Sequence, residues 1–245
     1  MNPILWPAAL CIGIVLGLFG AGGGLITVPV LIYLAHLPIR EAIGISLWVV
    51  TIASFAAVLQ QRAWQRIEPR LLATFGITGV LGSLTGSLLS HLMSERVQLG
   101  LFALLIFAVS WWMSRVTLTE QVRVFRFIPA AITGFVIGML TGILGVGGGF
   151  LLVPALIYLG VNEFPAAVAH SLVLITLNSA TGAIAYLNSF RLPLSMVLLF
   201  SLLATLGTAI GTQLLQRLPN LHLHRAFIII LLITGSIMLW RTISF

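Results

Sequence analysis

The segment Gly20-Ala-Gly-Gly-Gly-Leu-Ile-Thr-Val-Pro-Val-Leu-Ile-Tyr-Leu34 recurs as Gly145-Val-Gly-Gly-Gly-Phe-Leu-Leu-Val-Pro-Ala-Leu-Ile-Tyr-Leu159. The copies lie 125 residues apart in a chain of 245, and Gly20–Ser54 matches Gly145–Ser179 at 15 of 35 positions without a gap. A chain duplicated in this way is built from two related halves, here residues 1–119 and 120–245, joined by the linker Arg115–Arg126. Each half opens with a helix-breaking glycine cluster set in apolar sequence. In a membrane protein, interrupted hydrophobic segments at matching places in two halves point to a transport site.

Composition identifies the solvent. The chain is 60% hydrophobic and 7% charged, with a mean hydropathy of +1.16, whereas a soluble domain carries roughly 25% charged residues. Too few polar residues exist to coat a soluble core. Apolar stretches run Ile4–Leu34, Ala42–Gln61, Leu71–Leu92, Val97–Met113, Phe127–Leu159, Ala166–Leu187, Pro193–Leu215 and Arg225–Trp240. Most approach the roughly 20 residues that a membrane helix needs. Backbone groups in lipid must bond within their own segment, so these stretches are helices. The expected fold is an all-α polytopic membrane protein with about eight hydrophobic segments, four per half.

The charges are sparse and one-sided. All 12 basic residues are arginine, all 5 acids are glutamate, and the formal net charge is +7. Scattered singly over loops, the arginines read as topology signals and lipid anchors rather than a nucleic-acid surface. Cys11 is the one cysteine, which excludes an internal disulfide and a thiolate metal cluster. The first segment lacks a basic leader and is followed by many more, so it is not read as a removable signal peptide. No zinc-protease, nucleophile-elbow or phosphate-loop pattern is present. The chain is therefore not read as an enzyme, and no cofactor is expected.

The opening segments set the topology. At about 1.5 Å per residue, stretches Ile4–Leu34 and Phe127–Leu159 would form helices of roughly 45–50 Å, longer than the ~30 Å apolar core and too short for two full crossings. Each is expected to be two helical pieces, either a broken span or a re-entrant hairpin. A single crossing makes the halves parallel; a hairpin makes them inverted. Both arrangements place eight arginines inside and four outside, so the positive-inside rule leaves the two open.

The glycine clusters carry the chemistry. Consecutive glycines leave N–H groups unshielded by side chains, and proline suits the first turn of a helix. Helices beginning near Val28 and Val153, with Pro29 and Pro154 in the first turn, would aim free N–H groups and a positive dipole end back at the glycines. Gly22, Gly23 and Gly24 in one half, and Gly147, Gly148 and Gly149 in the other, would then meet near the membrane midplane around a shared anion. The helix after each cluster adds small polar groups. These are Ser46 and Thr51 (with Ser54) in the first half, and His170, Ser171, Thr176 and Asn178 (with Ser179) in the second. Hydroxyls and amides ligate an oxyanion without the cost of burying a charge. Hydrogen bonding between helices is the competing use of the same side chains. His170 is the one ionisable side chain well inside an apolar stretch, read as an anion or proton contact or as a neutral structural residue. Gly82-Ser-Leu-Thr-Gly86 and Gly207-Thr-Ala-Ile-Gly211 are read as helix-packing faces.

The paired Gly-x-Gly-Gly-Gly-x-x-x-Val-Pro-x-Leu blocks, each followed by Ala-x-x-x-Ser-Leu (Ala42–Leu47 and Ala167–Leu172), resemble the sulfite exporter TauE/SafE family of bacterial permeases. The resemblance covers essentially the whole chain. It implies a multi-pass carrier of the cytoplasmic membrane for small sulfur-containing anions such as sulfite, sulfoacetate or related sulfonates. Membrane lipid is the expected surrounding partner, a proton or sodium ion the candidate coupling ion, and a homodimer the candidate assembly. A passive anion channel and a non-transporting membrane enzyme or assembly factor are the alternatives.

Overall fold

The computed structural model describes residues 5–20, 22–90, 92–115, 127–144, 148–159, 161, 163–186 and 193–243. These residues form α1 (Leu5–Phe19), α2 (Gly22–Tyr33), α3 (Ile39–Gln61), α4 (Pro69–Ser90), α5 (Glu95–Arg115), α6 (Phe127–Leu144), α7 (Gly149–Tyr158), α8 (Phe164–Ala185), α9 (Leu194–Arg217) and α10 (Asn220–Ile243). One short 3-10 turn, Ala63–Arg66, lies between α3 and α4. Six helices (α3, α4, the stretch Arg96–Arg115 of α5, α6, α8 and α9) are long and apolar enough to cross a membrane. The chain is a multi-pass helical membrane protein. Both opening segments are split as their length required, into α1 with α2 and α6 with α7.

Side-chain registers give the helix directions. Leu47 lies beside Gly182 and Ser54 meets Thr176, so α8 descends as α3 rises. These are the matching helices of the two sequence copies, and they run antiparallel. In contrast, Gly79 faces Asn178 and Ser83 faces Gly182, while Ser90 bonds Tyr186 at 2.5 Å; α4 and α8 are parallel. Gly134, Gly138 and Gly142 of α6 pack successively on Phe75, Gly79 and Ser83 of α4. Gly13 and Gly17 of α1 likewise meet Ala204 and Thr208 of α9. Each half's first helix therefore packs along the fourth helix of the other half.

The same registers show that both opening segments turn back. α6 starts at the end of the bundle where α4 starts, and α8 starts there too, because His170 bonds the backbone of Glu68. α7 must return the chain to the end from which α6 left. Consistent with reversal, Gly148 abuts Thr141 and Ile137 of α6. In the first half Gln61 donates to the Gly17 carbonyl at 3.0 Å, so α1 finishes where α3 finishes. α2 then carries the chain back to the start of α3. Each opening segment is a hairpin, and the two hairpins enter from opposite ends.

Backbone proximity depends on missing side chains. A Cβ on Gly82 or Gly86 would run into Phe135 or Met139 of α6, and one on Gly207 or Gly211 into Leu10 or Ile14 of α1. The two Gly-x-x-x-Gly faces read in the sequence are thus the seams that join the halves. Without a hydrophobic drive between helices in lipid, such close contact supplies van der Waals attraction.

Candidate functional site

The first break is held by the opposite half. Gly20 adopts φ 58°, the left-handed region that side chains disfavour. Its carbonyl accepts a 2.8 Å hydrogen bond from Ser171 Oγ on α8. α2 begins at Gly22, so Gly22, Gly23 and Gly24 occupy its first turn, where N–H groups lack intrahelical acceptors. Gly23 and Gly24 are buried, and the Gly23 carbonyl accepts from Thr27 Oγ1. At the second break Gly148, with φ 65°, is the residue before α7. Its carbonyl accepts from the amides of Leu151 and Leu152, both at 3.0 Å, and Gly149 opens the helix. Gly147 lies outside the described residues.

Two expectations about these breaks are corrected. Pro29 and Pro154 do not start helices; both lie inside, at the eighth residue of α2 and the sixth of α7. The glycines themselves make the first turn. An interior proline costs about 3 kcal/mol, but the flanking Leu25, Val28, Leu152 and Val153 are almost fully buried, and their packing offsets it. Lacking an N–H, each proline leaves the carbonyl four residues earlier without its helical donor. The two clusters are also offset along α8 rather than level with one another. Gly20 lies against Val168 and Ser171, whereas Gly148 of the second break lies beside Ile137 and Thr141 of α6, a stretch that packs on Gly79 and Ser83, themselves against Asn178 and Gly182. The interval from Ser171 to Asn178 or Gly182 is seven to eleven residues of α8, or roughly 10–16 Å. The breaks are offset on either side of the middle of α8, and α2 touches α7.

The polar residues fall into used and unused groups. Thr51 donates to the Leu47 carbonyl at 2.7 Å. Thr176 Oγ1 stands 2.9 Å from Ser54 Oγ and 2.8 Å from the Leu172 carbonyl, joining α3 to α8. Ser46 Oγ, Asn178 Oδ1 and Ser179 Oγ are buried without any hydrogen-bond partner. Buried polar atoms are nearly always paired, and Trp48 Nε1, Gln98 Oε1, Ser201 Oγ and His224 Nε2 share this condition. The first three lie on the half of α3 and α8 nearer the second break, since Ser46 is close to Leu47, which faces Gly182.

His170 has a different employment. Its Nε2 accepts the Glu68 N–H at 2.8 Å, and its Nδ1 lies 2.8 Å from the Ala166 carbonyl. With Nδ1 as donor and Nε2 as acceptor, the ring is neutral and both nitrogens are satisfied. His170 therefore anchors the loop before α4 to α8 and presents nothing to a ligand. Replacing it by leucine is expected to cost about 1–3 kcal/mol by stranding the Glu68 amide. A melting temperature within 1–2 °C of the parent, roughly, would contradict this role.

Three contributors carry no sequence signal of their own. Gly20 was visible only as the edge of the motif, and Thr27 and Thr141 read as ordinary members of apolar stretches. Thr141 matters because it packs on Gly148. Beside it, a cavity of about 390 Å³ separates α5, α6 and α7, lined in part by Trp112, Thr133, Ile137, Pro154 and Tyr158. His224 Nε2 on α10 is buried without a hydrogen-bond partner, one turn before Phe227, whose ring packs on Phe19 beside the first break; no metal-binding cluster is present among the described residues. The arrangement offers bare amides, hydroxyls and helix dipoles, which suit a small anion.

Known proteins agree with a membrane transporter. The model of the sulfite exporter TauE/SafE family matches residues 5–238. A probable membrane transporter protein of Xylella fastidiosa is 30% identical over 244 residues, covering 94% of this chain and 92% of the relative. One from Methanocaldococcus jannaschii is 26% identical over 258 residues, covering 97% and 95%. The probable membrane transporter protein YunE of Bacillus subtilis is 26% identical over 267 residues, covering 98% of each. No solved structure matches. With a family match from α1 into α10 and relatives aligned along nearly their full length, the chain belongs to the sulfite exporter TauE/SafE family of membrane transporters.

Proposed function

We propose that the protein is a secondary carrier that moves small sulfur-containing anions, such as sulfite, sulfoacetate or another organosulfonate, across the cytoplasmic membrane by alternating access. The observation that carries this reading is the pair of glycine-started half-helices, reached from opposite ends and separated along α8. Each offers an anion a helix N-terminus without a fixed countercharge. An anion bound too tightly could not leave, and amides without a buried cation keep binding moderate.

Antiparallel α3 and α8 support halves inverted across the membrane, the arrangement of many carriers in which two related halves rock against each other. The arginines support its orientation. Arg62, Arg66 and Arg70, the C-terminal Arg115 of α5, Arg217 of α9 and Arg225 near the start of α10 fall at one end. By the positive-inside rule that end is cytoplasmic, with the α6–α7 hairpin entering from it. A proton or sodium ion is the proposed coupling ion and a homodimer the proposed assembly. A passive channel would share the helix termini but would not saturate.

Substrate class is tested by thermal unfolding of the purified protein with sulfite, sulfoacetate, taurine or sulfate. Ligand at about 100 times its dissociation constant stabilises by ~2.7 kcal/mol. A concentration-dependent rise in melting temperature for sulfite or a sulfonate, but not sulfate, is the expected result. Equal shifts for all four, or none, would contradict the sulfur assignment.

A further inference from the structure

We infer that a groove on the outer face of the bundle is a binding site for one anionic phospholipid of the cytoplasmic leaflet. A cavity of about 700 Å³ runs between the 3-10 turn, α4 and α8, lined by Trp64, Leu72, Gly76, Ile77, Leu81 and Leu177 among others. Its walls are apolar. Trp64, Ile77 and Leu81 are more than half exposed, so the groove opens toward the hydrocarbon rather than into the transport site. From Pro69 to Leu81 it follows twelve residues of α4, about 18 Å, close to the ~15 Å depth of one apolar leaflet.

The mouth selects the headgroup. Residues 62–70 contain Arg62, Arg66, Arg70 and one acid, Glu68, a net charge of +2. Arg62 and Arg70 are exposed and adjoin in sequence Trp64 and Pro69, which line this end of the groove; Trp64 supplies the amphipathic ring typical of a membrane interface. The mouth is fixed in place, because the Glu68 amide is tied to His170 on α8. Basic residues at the cytoplasmic surface attract anionic lipid. The floor depends on Gly76, where a Cβ would already touch Leu177 at 3.5 Å; a larger residue would fill the groove. The matching position of the other half, 125 residues on, is Ser201, and the matching stretch, residues 187–195, contains a single arginine, Arg191.

A second copy of the chain fits less well. A two-fold interface sets each patch against itself, which would oppose two basic mouths. The lipid brings the complementary charge and a chain that fills the groove.

The test is native mass spectrometry of the full-length protein released from detergent, with phosphatidylglycerol or phosphatidylcholine of the same acyl chains added. The parent should retain one phosphatidylglycerol in preference to phosphatidylcholine. The variant Arg62→Gln/Arg70→Gln, which leaves the groove and helices intact, should weaken phosphatidylglycerol retention about thirty-fold and leave phosphatidylcholine unchanged. Gly76→Leu should lose both lipids. Equal retention of both lipids by the parent, or retention unaffected by the arginine changes, would overturn the assignment. So would a parent dimer that Gly76→Leu converts to monomer, because a second copy would then occupy the groove.

Discussion

Gly148→Val is expected to reduce transport by at least about tenfold in protein that still inserts into the membrane. A β-branched residue at φ 65° carries strain of about 1–3 kcal/mol, and every 1.4 kcal/mol is tenfold in a population. The new Cβ would also strike Thr141 Oγ1, and a β-branched threonine has few rotamers through which to yield. The turn that starts α7 must then open or shift, and the amides of Gly149 and Phe150 leave their positions. Gly148→Ala combined with Thr141→Ala removes the clash and much of the strain, so it should recover part of the flux. Gly23→Ala is a milder comparison. Its Cβ would meet the flexible end of Leu16 at 3.0 Å, and its backbone is helical. Full activity of Gly148→Val in flux assays on reconstituted vesicles would remove the second break from the mechanism.

Gly138→Leu is expected to prevent accumulation of monodisperse protein altogether. Its Cβ would overlap the Gly79 carbonyl, a clash of backbone with side chain that no rotamer relieves. Ordinary overpacking costs about 1–3 kcal/mol, and this seam joins the first half to the second, so the cost exceeds that range. Gly100→Leu makes the control, because nothing lies within 4 Å of a Cβ built there. Size-exclusion profiles of the two variants in the same detergent separate them. A monodisperse Gly138→Leu protein would mean that the helices can part without loss of the fold.

Much of this architecture was legible from local rules. Apolar stretches of membrane length gave the helices, excess length with glycine and proline gave the two breaks, and Gly-x-x-x-Gly gave the seams. What escaped depends on contact between distant residues. The arginine count could not choose between inverted and parallel halves, because both arrangements balance eight to four. The antiparallel register of Leu47 with Gly182 and Ser54 with Thr176 chooses between them. Local rules also misplaced the helix starts. Proline favours a first turn, but a glycine in the left-handed region can begin a helix earlier when packing holds the following apolar residues. Likewise, the sequence brought His170 forward as an isolated ionisable residue, and only its two partners, Glu68 and Ala166, reveal a structural role.

Two breaks facing opposite ends alter what the glycines do. A shared midplane site would hold one anion between two clusters. On the proposed carrier function, helix N-termini some 10–16 Å apart along α8 would let an anion pass from one to the other.

The most direct measurement is counterflow in proteoliposomes loaded with unlabelled sulfite or sulfoacetate and diluted into a trace of the labelled anion. The account predicts transient accumulation of label above equilibrium, saturating with concentration and reduced at least about tenfold by Gly148→Val. Monotonic, non-saturating equilibration would mark a passive channel, and no flux of either anion beyond that of empty vesicles would contradict the proposed carrier of small sulfur anions.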